Sequence, residues 1–425
     1  MKNRDYKSRI IDSIINDYLD TFGAVCIEGP KWCGKTWTSS YHCNSKIMLG
    51  DPTGNFQNRL LAEVSPALIL DGATPRLIDE WQEVPPIWDA VRHKVDQTSQ
   101  RGQFILTGSS TPSHKGILHS GAGRIAKLRM RTMSLYESND SSGKVSLREL
   151  CYGNLTPSLT GDVDLKNLIN LIIRGGWPGS VNLKPSSHTL LPKQYLEAII
   201  NDDIYRMDGI NRNKNKLRLL LRSLARNEST TATNNTLIKD VRGNDNEIID
   251  ANTISSYLDI LDRLFITENQ PPFSSNIRSS VRVKQAEKRH FCDPSLACAL
   301  LDVSAEGLLN DLNTLGFLFE ALCERDLRIY CESFGGTLYH YQDYKGKEID
   351  AIIELPDKTW CAFEIKLGTH QIDDAARSLI SIQREIEKEN KQKSPKILCV
   401  ISGLSTATYR RDDGVFVVPI TALRE

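Results

Sequence analysis

The run "FGAVCIEGPKWCGKTW", residues 22–37, constrains this chain more than any other stretch. Its first half is short, apolar and partly β-branched, which reads as a buried strand. Its second half, "GPKWCGKT", satisfies G-x-x-x-x-G-K-[ST] at Gly29, Gly34, Lys35 and Thr36. Glycines are needed there so that backbone N–H groups can turn inward onto phosphates, and a helix beginning at the loop's end adds the partial positive charge of its N-terminus. The expected cradle is Gly29, Pro30, Lys31, Trp32, Cys33, Gly34, Lys35, Thr36 and Trp37. Lys35 would lie on the β- and γ-phosphates and Thr36 would hold Mg²⁺, with ATP or ADP as the expected nucleotide. A strand followed by such a loop and a helix implies an α/β core with a parallel sheet.

Two further strand ends carry matching chemistry. "RLIDEWQEVP" places an apolar segment, Arg76 to Ile78, before Asp79 and Glu80. Paired carboxylates at a strand's C-terminal edge suit one group for the Mg²⁺ shell and one to polarise an attacking water. "GQFILTGSS" ends a third strand in Thr107, Gly108 and Ser109, where ligands bind in open parallel sheets.

Composition limits the alternatives. At 425 residues the chain can bury several cores, and its fifty-three basic residues balance fifty-three acidic ones, so no global field argues for nucleic acid or membrane. Ten cysteines are scattered without a C-x-x-C pair, which suggests reduced thiols and no zinc site. The opening "MKNRDYKSRIIDSIINDYLD" has helical apolar spacing between charges, and no signal-like or membrane-length apolar run follows. A cytoplasmic location with no membrane partner is expected.

"GPKWCGKTW", "LIDEWQEVP", "FILTGSS" and "GAGRIAKLRMRTMSLYES" resemble the AAA-family ATPases of prokaryotes (AAA+ superfamily), in the group whose P-loop core precedes a C-terminal domain of unknown function, DUF4143. The resemblance covers essentially the whole chain and marks the unusual loop centre as a family habit. It implies Asp79 for the metal, Glu80 as catalytic carboxylate, Thr107 or Ser109 as γ-phosphate sensor, and Arg124 as candidate arginine finger. A finger acting from a neighbouring copy would require at least a dimer.

From "LKNLINLIIRGGWPGSV" the pattern turns helical. Gly176-Trp177-Pro178 is similar to a G-x-P segment of signal-transducing P-loop ATPases, which implies that Pro178 touches the adenine from a helical lid. A plain helix stop is the competing reading. "KNKLRLLLRSLAR" is crowded with Lys214, Lys216, Arg218, Arg222 and Arg226. Beyond it, helix, turn, longer helix and extended segment suit a winged helix-turn-helix, with Asp250 or Asn252 as cap and Arg278, Arg282, Lys284, Lys288 and Arg289 in the wing. The longer helix, Thr253 to Phe265, carries Asp259 and Asp262 beside Arg263, a composition better suited to packing than to reading bases in DNA.

Near the end, "TLYHYQDYKGKEIDAIIELPDKTWCAFEIKLG" reads as a three-stranded meander with turns at Lys345-Gly346-Lys347 and Pro356-Asp357. Strand period puts Glu364 and Lys366 on one face, and Asp350 begins the apolar stretch beside them. Two acids and a lysine converging at a sheet end would bind Mg²⁺ and position a water against a phosphodiester. The segment resembles the PD-(D/E)xK nuclease superfamily, with Glu320 on the preceding helix as its first acid. An ordinary hairpin with a cross-strand ion pair gives the same pattern.

The expected organisation is therefore an AAA+ type core over residues 1–160, a helical lid over 161–230, a winged-helix domain over 231–305, and an α/β restriction-endonuclease-like domain over 306–425. Two functions stay open: a nucleotide-driven switch or motor controlling a nuclease-like, DNA-acting domain, and a signalling or scaffold ATPase whose C-terminal fold docks a protein partner.

Overall fold

The computed structural model describes residues 6–111, 117–242, 250–274, 276, 278–343, 346–388 and 394–425. The expected turn residue Lys345, residues 389–393 and residues 243–249 of the expected winged helix lie outside them. The chain divides into two compact units: residues 1–132 with 202–211 and 259–266, and residues 133–201 with 212–258 and 267–425.

The first unit runs α1 (Ile11–Thr21), β1 (Ala24–Glu28), α2 (Lys35–His42), β2 (Ser45–Met48), α3 (Thr53–Val64), β3 (Arg76–Asp79), α4 (Ile87–Thr98), β4 (Phe104–Gly108) and β5 (Ile125–Arg129). Its strands are all parallel, in the order β2-β3-β4-β1-β5. Alternation along β1 explains why its sequence is apolar throughout. Ala24 and Cys26 join one core with Ile87, Trp88 and Val91 of α4, while Val25 and Ile27 join another with Ile15 and Leu19 of α1. Both faces are covered, as parallel sheets require, and each large apolar side chain so buried contributes about 1.5–3 kcal/mol.

The rest of the chain gives β6 (Val145–Ser146), α5 (Leu147–Cys151), β7 (Ser158–Leu159), α6 (Leu165–Arg174), α7 (Leu190–Ala198), α8 (Ile204–Asp208), α9 (Lys214–Arg226), α10 (Asn234–Arg242), α11 (Ala251–Arg263), α12 (Val281–Lys284), α13 (Pro294–Leu301), α14 (Ala305–Asn310) and α15 (Leu312–Glu332). Then come β8 (Thr337–Gln342), β9 (Glu348–Glu354), β10 (Trp360–Lys366), α16 (Ile372–Lys388), β11 (Leu398–Ser402), β12 (Ala407–Arg410), β13 (Phe416–Pro419) and β14 (Leu423–Arg424). Seven strands form one mixed sheet, β7-β12-β13-β11-β10-β9-β8, in which β8, β9 and β10 make an antiparallel meander. The apolar stripe of α16 (Ala375, Ala376, Leu379, Ile382) covers one face.

Contacts cut the chain differently from the four consecutive domains expected. Residues 133–160 group with the second unit because β6 pairs with β14, β7 pairs with β12, and the Leu135 N–H donates to Asp326 at 2.9 Å. Asp250 is the cap of α11, accepting from the Thr253 N–H at 2.6 Å. The expected wing is a pair of arms joined by the antiparallel bridges Thr267↔Phe291 and Gln270↔Lys288. It is tied to the C-terminal sheet: Pro272 bridges to His340, and the Gln270 amide donates to the carbonyls of Tyr339 and Asp350.

Candidate functional site

The loop between β1 and α2 is held tightly from below. A Cβ on Gly29 would lie 2.1 Å from the Met130 carbonyl oxygen, so close backbone approach demands glycine there. Gly34 has φ +107°, which a side chain would strain, and it turns the chain into the first residue of α2. The odd centre of the loop splits into two roles. Cys33 is buried, its thiol 3.7 Å from the Met130 carbonyl oxygen, whereas Trp32 sits at φ +65° with 64% of its surface exposed. Trp37 on α2 is also exposed, and Lys31 reaches Asp203 at 2.5 Å. The Lys35 ammonium is buried and donates to the carbonyls of Gly29 (2.9 Å) and Pro30 (2.8 Å), folded onto the loop it would serve.

At the end of β3, the Asp79 carboxylate accepts from the hydroxyls of Thr36 at 2.8 Å and Thr107 at 2.7 Å. Burial pushes the Asp79 carboxyl above its ordinary range, and the two hydroxyl donors oppose that shift. Glu80 follows in a left-handed conformation, φ 57° and ψ 49°, fixed by its N–H donating to the Thr107 hydroxyl at 3.0 Å. Its carboxylate accepts from the Ser109 hydroxyl at 2.8 Å and from the Gln82 amide. Thr107 therefore ties the Asp79 carboxylate to the Glu80 backbone through one hydroxyl, and Ser109 and Gln82 orient the Glu80 carboxylate. Gln82 was not foreseen, although it stands only two residues beyond Glu80. A cavity of about 440 Å³ opens beside Gln82 and Ser109, walled also by Lys31, Arg59, Asp203 and Arg206.

Thr36 and Asp79 suit Mg²⁺ in chemistry: a hydroxyl and a carboxylate share one hydrogen bond where a hard cation would take both oxygens. Arg124 does not join them. It precedes β5, and because β5 runs parallel to β1 with Ala24 opposite Ile125 and Glu28 opposite Arg129, it lies at the sheet edge away from the loop. There it pairs with Asp96 at 2.7 Å, so it cannot serve as arginine finger to its own loop. The turn carrying Pro178 belongs to the second unit. It is anchored there by Gly176 N–H to Asp293 and by the Trp177 indole N–H to the Ser295 hydroxyl, both 2.9 Å.

In the second unit the four expected side chains of the C-terminal cluster converge. Lys366 pairs with Asp350 at 3.1 Å and Glu364 at 2.7 Å, and the Ile365 N–H donates to Asp350 at 2.8 Å. A fifth residue, Lys288 from the wing, is buried with its ammonium 2.6 Å from Glu320 and 3.9 Å from Asp350. Sequence reading placed Lys288 in the wing, and nothing in its local pattern signals burial. Burial raises the Glu320 carboxyl to about 7 and Glu364 to about 8. Asp350 is held low because Lys366 and Lys288 outweigh its burial. Nearby, the buried His290 is gripped by Glu228 (3.1 Å) and Glu324 (2.8 Å), and these carboxylates overcome burial to raise it to about 9.

The expected Mg²⁺ ligands Asp350 and Glu364 are thus committed to ammonium groups. Among the described residues, no group of three or more His, Cys, Asp or Glu is placed to hold a metal ion. Nor, among those residues, is any helix long and apolar enough to cross a membrane.

Comparison with known proteins finds matches to separate parts of the chain. Residues 21–139 match the family model of an AAA domain, residues 315–423 that of a domain of unknown function (DUF4143), and residues 165–307 that of another (DUF8612). Uncharacterized proteins of Mycobacterium tuberculosis and Mycobacterium bovis are each 24% identical over 365 residues, covering 84% of this chain and 74% of their own. Among solved structures, a Walker-type ATPase of Pyrococcus abyssi aligns over 71% of this chain and 97% of its own, at 14% identity and TM-score 0.42. The replication initiator DnaA bound to AMPPCP and single-stranded DNA aligns over 60% and 86%, at 9% identity and TM-score 0.28.

Proposed function

The chain joins an AAA-family ATPase domain to a DUF4143 domain, and from that premise we propose that it binds and hydrolyses Mg-ATP at the Gly29–Trp37 loop and uses the cycle as a switch. The observation that carries this reading is the hydrogen-bonded chain Thr36–Asp79–Thr107–Glu80, which links the loop to the Asp79 carboxylate and on to the Glu80 backbone N–H. Bound phosphates would draw the Lys35 ammonium from the Gly29 and Pro30 carbonyls. Glu80, oriented by Ser109 and Gln82, would accept the proton of the attacking water as its oxygen bonds to the γ-phosphorus and the bond to the β-γ bridging oxygen breaks. ADP and phosphate leave. Mg²⁺, held by Thr36 and Asp79, would neutralise charge on the phosphates.

For the second unit, a docking role that does not cut nucleic acid is the better supported of the two open readings. Three of the five basic residues expected in the wing, where a DNA backbone would be met, are occupied within the second unit. Arg282 pairs with Glu354, Lys288 with Glu320, and Arg289 donates to the Ala232 carbonyl and to Asn234.

Two assays test this. Lys35→Ala should abolish ATP hydrolysis and Glu80→Gln should keep ATP binding while slowing turnover; normal hydrolysis by Lys35→Ala sinks the proposal. Plasmid and single-stranded DNA with Mg²⁺ or Mn²⁺, with and without ATP, should stay uncut. Nicking that Asp350→Ala and Lys366→Ala both abolish would restore the nuclease reading.

A further inference from the structure

The C-terminal cluster brings together three carboxylates, Glu320, Asp350 and Glu364, and two ammonium groups, Lys366 and Lys288. A divalent cation bound by such acids needs oxygen ligands at about 2.0–2.1 Å for Mg²⁺, with their lone pairs free to face it. Here each acid has an oxygen spent on a lysine. Glu320 meets Lys288 at 2.6 Å, Glu364 meets Lys366 at 2.7 Å, and Asp350 accepts from both Lys366 (3.1 Å) and the Ile365 N–H (2.8 Å) on one oxygen while its other faces Lys288 at 3.9 Å. The residues present do not fit a divalent ion.

We infer that Lys288 is a built-in cation standing between Glu320 and Asp350 where a metal ion would have to stand, so that the cluster is a closed ion-pair cage. The position of Lys288 is constructed by the fold. Its backbone exchanges two hydrogen bonds of 2.9 Å with Gln270, and the Gln270 side chain donates in turn to the carbonyls of Tyr339 and Asp350. The arm carrying the plug is thereby fastened to the strand carrying Asp350. The charge count makes the same point. With Lys288 the five groups, in their charged forms, sum to one negative charge, and a divalent ion gains little by entering. Without it they sum to two, which a divalent ion would neutralise, and Glu320, buried without its ammonium partner, would favour one strongly. The cavity of about 560 Å³ lined by Glu320, Lys366 and His370 gives an ion or its water a route in.

The test is Mn²⁺ titration of the nucleotide-free full chain, followed by the electron paramagnetic resonance of the free ion. Lys288→Met should acquire one Mn²⁺ site that the wild type lacks, and Lys288→Met with Asp350→Asn should lose it. Lys288→Arg, which keeps the charge, should behave as the wild type. A folded Lys288→Met protein that gains no site overturns the inference. So does a wild-type Mn²⁺ site that Asp350→Asn removes, and this second comparison decides the matter if Lys288→Met does not fold. Neither outcome depends on the phosphate loop, so a failed ATPase reading would leave the result interpretable.

Discussion

Replacing Thr107 by valine isolates the contribution of one hydroxyl to the ATPase site. Valine keeps the shape of threonine within β4, where Thr107 is fully buried. What disappears is a donor to Asp79 at 2.7 Å and an acceptor for the Glu80 N–H at 3.0 Å. The Glu80 N–H left without an acceptor costs about 1–3 kcal/mol, and the bond lost by Asp79, which keeps its donor Thr36, about 1 kcal/mol, so the two together should lower stability by roughly 2–4 kcal/mol. At about 2–4 °C per kcal/mol for a unit of this size, the thermal midpoint should fall by about 5–15 °C. Turnover should suffer as well, because Asp79 and Glu80 lose the link that sets their mutual orientation. A loss of roughly 1.4–2.7 kcal/mol in the transition state lowers kcat about 10- to 100-fold. Nucleotide affinity should change little, since the loop's own N–H groups are untouched. The measurements are steady-state phosphate release, fluorescent-nucleotide binding and thermal unfolding on Thr107→Val and Thr107→Ser. Serine retains the hydroxyl and should restore most of both quantities. Wild-type turnover and midpoint in Thr107→Val, or equal damage in Thr107→Ser, would refute the reasoning.

The same geometry sets other expectations. Gly29→Ala forces a methyl group against the Met130 carbonyl and should destabilise the first unit by more than about 2 kcal/mol, seen as a lowered midpoint with or without nucleotide. Ser109→Ala and Gln82→Ala each remove one donor to Glu80 and should reduce kcat about tenfold while leaving ATP affinity within about threefold. The buried acids Glu320 and Glu364 titrate at about 7 and about 8 in the folded chain, above their unfolded range, so between about pH 5 and 8 the folded state holds more protons and stability falls as pH rises. His290, raised to about 9, acts in the same direction: its contribution is full below about pH 6.5 and lost as pH passes about 9. Denaturant titrations from pH 5 to 9 should show this decline, flattened in Glu364→Gln. A rise in stability over that range contradicts both assignments.

The parts legible in the sequence were those whose chemistry is local. The phosphate loop, Gly29 to Trp37, runs from the end of β1 into the first turn of α2, and Asp79, Glu80, Thr107 and Ser109 stand at or just beyond the ends of strands that short apolar runs mark. Strand period also placed Glu364 and Lys366 on one face. What stayed hidden depended on contacts between distant segments. Lys288 sits among arginines and lysines, and composition alone gives no direction to a charge; only its bridge to Gln270 turns it inward onto Glu320, 32 residues further on. The distance of Arg124 from its own loop was hidden for a related reason. The motif shows an arginine after a glycine turn, but which edge of the sheet it occupies follows from the pairing of β5 with β1. The pairing of Lys31 with Asp203, 172 residues apart, had no trace in either segment.

That last pair points to a property of the polypeptide as a thread. The first unit takes in residues 1–132, then 202–211, then 259–266, so the backbone crosses from one unit to the other five times. No single cleavage releases it free of the other unit. A fragment ending at residue 132 would lose Asp203 and Arg206 from its cavity wall, and with them the Lys31 ion pair. It would also lose Phe265, over whose ring the Arg129 guanidinium lies at 3.9 Å. The ATPase is in this sense assembled from a long thread, and severing the chain at any crossing before residue 259 subtracts from its catalytic body as well as from the second unit.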